Sequence, residues 1–167
     1  MTLESTIARP WYPGTDKGIR AICGTCPRHC RLADGSTGFC RARKAEGGRV
    51  VAANYGKISS IALDPIEKKP IAFFHPGSNI LSVGSYGCNL RCPFCQNDGI
   101  SQQGGDAVPC QTATPAELAD LAMRLKDERG NIGLAYTYNE PLVGWEFVRG
   151  WEFNSRKRSY GIIYGII

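Results

Sequence analysis

The sequence predicts an α/β protein in which a small cysteine-rich module precedes the first units of a parallel β/α sheet. Four cysteines are grouped between residues 23 and 40. Apolar runs at 80–83 and 132–138 flank a segment with the periodicity of an amphipathic helix. A strand, a helix and a strand in that order predict a right-handed βαβ crossover with parallel strands.

Residues 1–78 are interpreted as the cysteine-rich module. They are rich in turn residues and contain two short apolar segments, at 50–53 and 58–63. The module ends in the polar segment 64–70, Asp-Pro-Ile-Glu-Lys-Lys-Pro. Two interpretations of this segment stay open: a solvated loop, or a loop that approaches the functional site.

The second part, 79–148, begins with a predicted strand and contains a helix with clear ends. Thr114 at the N-cap, Pro115 at the first helical position and Glu117 three residues after the cap are typical of a helix start. Gly130 supplies the stop, so we expect a helix over 115–129. One apolar face is formed by Leu118, Leu121, Ala122 and Leu125.

A loop with the spacing C-x3-C-x2-C follows the first predicted strand, at Cys88, Cys92 and Cys95. This spacing lets one short loop provide three thiolates to a compact iron-sulfur cluster. No fourth cysteine follows at short spacing, which predicts a [4Fe-4S] cluster with one iron open to a ligand. The alternatives are a zinc site completed by Cys110 and a group of buried thiols.

The amino-terminal cysteines have spacings that suit a second metal site. Cys23, Cys26, Cys30 and Cys40 are separated by two, three and nine residues. Such spacing is compatible with one tetrahedral zinc ion or a second iron-sulfur cluster, with His29 as a substitute ligand. Uncoordinated buried thiols are the alternative.

The motif C-x3-C-x-aromatic-C, with Phe94 as the aromatic residue, resembles the radical S-adenosylmethionine (SAM) superfamily. The sequence at 86–97 is similar to that of enzymes related to pyruvate formate-lyase activating enzymes. The sequence at 86–97 resembles the radical SAM member of the AmmeMemoRadiSam system when it is taken together with the motif at 23–40 and the segments at 64–70 and 135–141. This resemblance covers about residues 20–148 and implies a partial radical SAM (β/α) barrel, an incomplete relative of the eight-unit barrel.

The resemblance also implies cofactors and roles. In the superfamily the open iron binds SAM, and electron transfer to the sulfonium yields a 5′-deoxyadenosyl radical that abstracts a substrate hydrogen, an oxidoreductase-type chemistry. Many relatives have Gly-Gly-Glu where this chain has 138–140, so the resemblance implies that Glu140 holds the SAM ammonium, that Asn139 binds the cofactor beside it and that Phe94 lies near the adenine. A glutamate on an exposed turn is the alternative. No catalytic residue is assigned.

After about residue 148 the resemblance ends. Gly-Trp-Glu-Phe occurs at 144–147 and again at 150–153, and Tyr-Gly-Ile-Ile occurs twice in 160–167. We interpret 149–167 as an atypical tail on a truncated or frame-shifted chain. Only one crossover can be placed, so the second strand is expected to expose an unpaired edge unless the tail covers it.

Composition limits the function classes. The net charge of +5 is scattered, and basic clusters lack the stacking aromatics of nucleic-acid modules, so no nucleic-acid partner is expected. No secretion signal and no apolar stretch of about 18 residues occur, which predicts a cytoplasmic protein without a membrane partner. The resemblance implies an unknown substrate, protein or small molecule, and an electron donor such as flavodoxin or ferredoxin.

Two rival functions remain open from the sequence alone. The first is a non-catalytic iron-sulfur or zinc-binding module in which both cysteine groups hold closed metal sites. The second is a zinc-dependent nucleic-acid binder, suggested by the positive charge and the first cysteine group.

Overall fold

The computed structural model describes residues 18, 21–69, 71, 73–156 and 161–164, and for 151–156 and 161–164 the backbone alone. Within them lie ten strands and three α-helices. Parts of the predicted tail, 157–160 and 165–167, lie outside the described residues, as does most of 1–20.

The amino-terminal part is built from two short antiparallel pairs. β1 (Ala21–Ile22) pairs with β2 (Arg31–Leu32), and β3 (Arg43–Glu46) pairs with β4 (Arg49–Ala52). The turn between β3 and β4 consists of the two glycines at 47–48, both at positive φ, a conformation that side chains disfavour. The buried residues that join the pairs are Ala21, Cys23, Leu32 and Ala45.

The central sheet has four strands in the order β10, β9, β7, β6. β6 (Ser60–Pro65) is antiparallel to β7 (Asn79–Gly84), β9 (Asn131–Tyr136) is parallel to β7, and β10 (Gly161–Tyr164) is parallel to β9. The two predicted parallel strands are confirmed as β7 and β9. Because β6 is hydrogen-bonded to β7, the sheet continues across the boundary that the sequence placed at 78.

The first crossover agrees with the prediction. α2 spans Pro115–Arg129, as predicted, and lies between β7 and β9. Thr114 Oγ1 accepts a hydrogen bond from the Glu117 amide at 3.2 Å, and Glu117 Oε2 accepts one from the Thr114 amide at 2.7 Å. Gly130 ends the helix in the left-handed conformation, φ 66°. The long connection before α2 contains α1 (Asp98–Ser101) and β8 (Gln111–Thr112), which pairs with β5 (Lys57–Ile58).

The expectation of a single crossover was wrong. α3 (Trp145–Arg156) connects β9 to β10, and β10, which lies within the predicted tail, covers the β9 edge that was expected to be exposed unless the tail covered it. This helix was not predicted, because the repeat of Gly-Trp-Glu-Phe was interpreted as the end of the resemblance. Its Phe147 and Val148 are buried in the core. The boundary drawn at 148 falls inside α3. In the described part of the chain the sheet is open, so the partial barrel stays a prediction.

The two faces of the central sheet are packed differently. α2 and α3 cover one face, where Leu81, Leu118 and Leu134 belong to the largest core cluster. On the opposite face, Ile80 and Ala135 pack under the 3-10 turn at Ile66–Lys68. Among the described helices none combines the length and apolar character needed to cross a membrane.

Candidate metal centre

The loops that follow β7 and β9 meet at one edge of the central sheet. Val83 is in register with Tyr136, so the two parallel strands end side by side. A Cβ added at Gly84 would lie 2.8 Å from the Thr137 carbonyl oxygen and 2.8 Å from Tyr138 Cδ2. Only glycine permits this approach. The three-cysteine loop and the segment at 139–141 therefore begin at the same edge of the sheet.

Gly87 sets the entry into the three-cysteine loop. Its φ is +81°, and a Cβ there would lie 2.4 Å from the Cys40 carbonyl oxygen and 3.0 Å from Ala42 Cβ. Its amide donates a hydrogen bond to the Ile100 carbonyl at 3.0 Å. The residue before Cys88 is thus held between the amino-terminal module and α1.

The three thiols of the loop differ in burial and in hydrogen bonding. Cys88 is buried, whereas Cys92 and Cys95 are half-buried. Cys88 Sγ accepts a hydrogen bond from the Leu90 amide at 3.4 Å, and Cys95 Sγ lies 3.4 Å from Ser101 Oγ. Donors directed at sulfur stabilise thiolates and tune the potential of an iron-sulfur cluster. The donor set suits such a cluster.

These thiols do not form a finished metal centre in the structure. All eight cysteines are free thiols. Across the described residues, no group of three or more His, Cys, Asp or Glu side chains is gathered closely enough to hold a metal ion. The fit of Cys88, Cys92 and Cys95 to a cluster therefore rests on the chemistry of the thiols, on their shared loop and on the hydrogen bond from the Leu90 amide to Cys88 Sγ.

The apolar residues of the loop face outward, with Phe94 82 % and Leu90 37 % exposed. On the other side of the loop, the amino-terminal module makes direct contact. Arg28 Nε donates a hydrogen bond to the Asn89 carbonyl at 3.0 Å. The guanidinium groups of Arg28 and Arg91 lie 3.5 Å and 5.1 Å from the centre of the Phe39 ring. Phe39 thus links the two cysteine groups.

Asn139 and Glu140 lie where the second loop begins, and both are buried. Asn139 Oδ1 accepts a hydrogen bond from the Ser85 amide at 3.1 Å, and its Nδ2 donates one to the Gly87 carbonyl at 2.7 Å. Glu140 Oε1 accepts a hydrogen bond from the Leu142 amide at 3.0 Å, which caps the 3-10 turn at Pro141–Gly144. Glu140 is therefore not an exposed turn residue.

The four amino-terminal cysteines lie in one region of the small module. The Cys23 amide donates a hydrogen bond to the Cys30 carbonyl at 2.9 Å, and Cys30 Sγ accepts one from the Phe39 amide at 3.5 Å. Burial is the main cause of the raised pKa of Cys40, and the nearby charges of Cys23 and Cys26 raise it further. Mutual repulsion of this kind is relieved by a shared cation.

A buried polar network close to the second loop was not assigned from the sequence. Asp64 Oδ2 accepts hydrogen bonds from Lys69 Nζ at 3.2 Å and from the Tyr138 hydroxyl at 3.3 Å. The Lys69 side chain is only 4 % exposed. Asp64 and Lys69 are therefore buried against the sheet, and of the two open interpretations of the segment the solvated loop is wrong for these two residues. The signal available beforehand was the pairing of an acidic residue with two lysines.

Asn54 is a second residue that the sequence did not single out. Its side chain is buried, and Nδ2 donates a hydrogen bond to the Tyr86 carbonyl at 3.4 Å. An asparagine in a turn-rich segment carries no signal that would identify such a contact, because its partner lies 32 residues away.

Comparison with known proteins identifies the family of the chain. A family model described as Radical SAM superfamily matches residues 82–166, just over half of the chain. An uncharacterized protein of Methanocaldococcus jannaschii is 44% identical over 126 residues, which is 75% of this chain and 37% of that protein. The chain thus spans little more than a third of the length of this curated relative. No solved structure gives a significant match.

Proposed function

This chain belongs to the radical SAM superfamily, and we propose that Cys88, Cys92 and Cys95 bind a [4Fe-4S] cluster whose fourth iron is open to SAM. The observation that carries the proposal is the position of the loop, at the carboxyl end of β7 and beside the loop that follows β9. The hydrogen bond from the Leu90 amide to Cys88 Sγ and the contact between Cys95 Sγ and Ser101 Oγ support it, since such contacts are typical of cluster-binding thiols.

When bound, the cluster supplies an electron that cleaves SAM and gives a 5′-deoxyadenosyl radical for hydrogen abstraction from a substrate. The residues of the chain hold and orient the cofactor. Glu140 is assigned to the SAM ammonium. Because Oε1 already accepts the Leu142 amide, Oε2 is the oxygen assigned to the ammonium. The exposed ring of Phe94 is assigned to the adenine.

Within the superfamily, we assign the chain to the group that resembles the radical SAM member of the AmmeMemoRadiSam system and the activating enzymes of pyruvate formate-lyase. The proposal includes an electron donor of the flavodoxin or ferredoxin class and a cytoplasmic location. The substrate is a protein or a small molecule that the residues of this chain do not specify. Since the chain spans 37% of its curated relative, the activity of the whole protein is part of the proposal.

The amino-terminal cysteines are proposed to bind zinc or a second iron-sulfur cluster. The proximity of the Cys40 thiol to Cys23 and Cys26 supports this role. Metal analysis of the purified protein distinguishes the two: one zinc per chain that is lost in Cys26→Ser supports zinc. Iron beyond four atoms per chain supports a second cluster, and neither metal above background contradicts both.

The central experiment is anaerobic iron-sulfur reconstitution followed by electron paramagnetic resonance of the reduced protein, with and without SAM. A [4Fe-4S] signal that SAM changes, and that is lost in Cys88→Ala, is the expected result. Cys110→Ala tests the alternative of a closed site, in which Cys110 would be the fourth ligand. Loss of the cluster in Cys110→Ala, or a signal that SAM leaves unchanged, would overturn the open-iron proposal in favour of a closed metal-binding module.

A further inference from the structure

We infer that Asn139 is a positioning residue for the cluster-binding loop, which it holds through the backbone on both sides of Tyr86. The inference rests on the proposed function and deepens it. The motif alone placed Asn139 among the residues that contact SAM. Its buried side chain is instead directed at the loop, with Oδ1 on the Ser85 amide and Nδ2 on the Gly87 carbonyl.

The need for such a contact follows from where the strand ladder ends. The last ladder-like bond joins the Thr137 amide to the Val83 carbonyl at 2.9 Å. Beyond it, the loop leaves the sheet while it is still inside the protein. Buried backbone groups need partners, and the Asn139 amide provides one donor and one acceptor where β9 no longer does.

A second buried asparagine completes the arrangement. Asn54 Nδ2 donates to the carbonyl of Tyr86, the residue between the two that Asn139 holds. Asn54 is itself packed against the 3-10 turn at Pro141–Gly144, since a Cβ at Gly144 would lie 3.0 Å from its Oδ1. Two side chains from separate elements therefore fix the backbone at 85–87.

The consequence concerns the first cluster ligand. The Gly87 carbonyl belongs to the peptide group that leads into Cys88, so its hydrogen bond to Asn139 at 2.7 Å orients that residue. A positioning role predicts that loss of the Asn139 amide disturbs the loop and the cluster before any SAM is added. A direct contact to SAM predicts an effect only after SAM is added.

Two measurements separate these roles. In metal-free protein, hydrogen exchange at the Ser85 amide is expected to be about tenfold faster in Asn139→Ala, because the amide loses its acceptor. In the reconstituted protein without SAM, the electron paramagnetic resonance signal is expected to change in Asn139→Ala. It should also change in Asn139→Asp, which keeps the acceptor for Ser85 but sets an oxygen against the Gly87 carbonyl.

Matched variants make the outcome decisive. Gln103→Ala removes an exposed amide and should change neither measurement. Glu140→Gln should leave the SAM-free signal as in wild type and weaken the response to SAM. An Asn139→Asp protein with a wild-type SAM-free signal, together with unchanged Ser85 exchange in Asn139→Ala, would overturn the positioning role. If wild-type protein forms no cluster, the proposed function fails, while the exchange measurement still tests the contact.

Discussion

Tyr138 donates a hydrogen bond from its hydroxyl to Oδ2 of Asp64, 3.3 Å away and 74 residues earlier in the chain. The same oxygen accepts the buried ammonium group of Lys69, and Oδ1 accepts the exposed ammonium group of Lys68 at 3.0 Å. Tyr138 adopts φ +70°, unusual for a residue with a side chain. Burial and the charge of Asp64 raise the pKa of Tyr138, so the phenol stays protonated and keeps donating.

Asp64→Asn is expected to lower the free energy of unfolding by about 3 kcal/mol, because it leaves the Lys69 ammonium buried without a counter-charge. Urea denaturation at neutral pH measures the change. Asp127→Asn, at an exposed position on α2, is the matched control and should stay within about 0.5 kcal/mol of wild type. A loss below about 1 kcal/mol in Asp64→Asn would show that the ion pair is not essential to the fold.

Asp64 also predicts a pH dependence of stability. Burial raises its pKa, but Ser82, Lys68 and Lys69 more than offset this, and the pKa falls from 3.8 to about 2. A lowered folded-state pKa stabilises the fold above the unfolded-state pKa, so this contribution is lost as pH falls from about 4 to 2. The amount is about 2 kcal/mol.

The test is urea denaturation of wild type and Asp64→Asn between pH 5 and pH 2.5. The stability difference between the two proteins should shrink toward the acidic end, since only wild type loses the Asp64 contribution there. A difference that stays constant over this range would contradict the lowered pKa.

Local signals explain which elements the sequence predicts well. The capping box of Thr114 and Glu117 and the stop at Gly130 act within a few residues, so the ends of α2 agree with the prediction. The three-cysteine loop was recognisable for the same reason, because its three cysteines lie within eight consecutive residues. Metal binding by the amino-terminal cysteines stays a prediction, and their spacing alone does not select between zinc and an iron-sulfur cluster.

Contacts that join distant segments explain what the sequence did not predict. The polar sequence around Lys69 suggests a solvated side chain. In the structure this side chain is buried and paired with Asp64, which also accepts a hydrogen bond from Tyr138. The hydrogen-bond partners of Asn139 are 52 and 54 residues away, so its contacts follow only from the folded sheet. α3 was not predicted because of its repeated sequence, although Phe147 packs this helix against the core.

Truncation of Glu146 is expected to lower the free energy of unfolding far more than truncation of Glu46, which is also ion-paired. Arg43, with a side chain 5 % exposed, donates to Glu146 Oε1 at 2.6 Å and thereby joins the amino-terminal module to α3. The pair between Lys44 and Glu46 is exposed, at 38 % and 54 %. Glu146→Ala should cost about 3 kcal/mol, because the Arg43 charge stays buried, whereas Glu46→Ala should cost less than about 1 kcal/mol.

Urea denaturation of both variants measures this contrast. Arg43→Met combined with Glu146→Ala should recover part of the loss, since the double variant no longer buries an unpaired charge. Equal effects of Glu146→Ala and Glu46→Ala would mean that the buried pair contributes no more than a surface pair.

Gly87→Ala is expected to disturb the three-cysteine loop more than a methyl group added at any other glycine near this loop. The new Cβ would meet the Cys40 carbonyl oxygen at 2.4 Å, and the residue would keep a φ of +81°. We expect a loss of about 3 kcal/mol in the free energy of unfolding, together with reduced iron content after reconstitution. Gly99→Ala, in α1 with nothing within 4 Å of its added Cβ, should leave both near wild type. Wild-type iron content in Gly87→Ala would mean that the contact with Cys40 yields easily, and that the amino-terminal module does not hold the loop at this point.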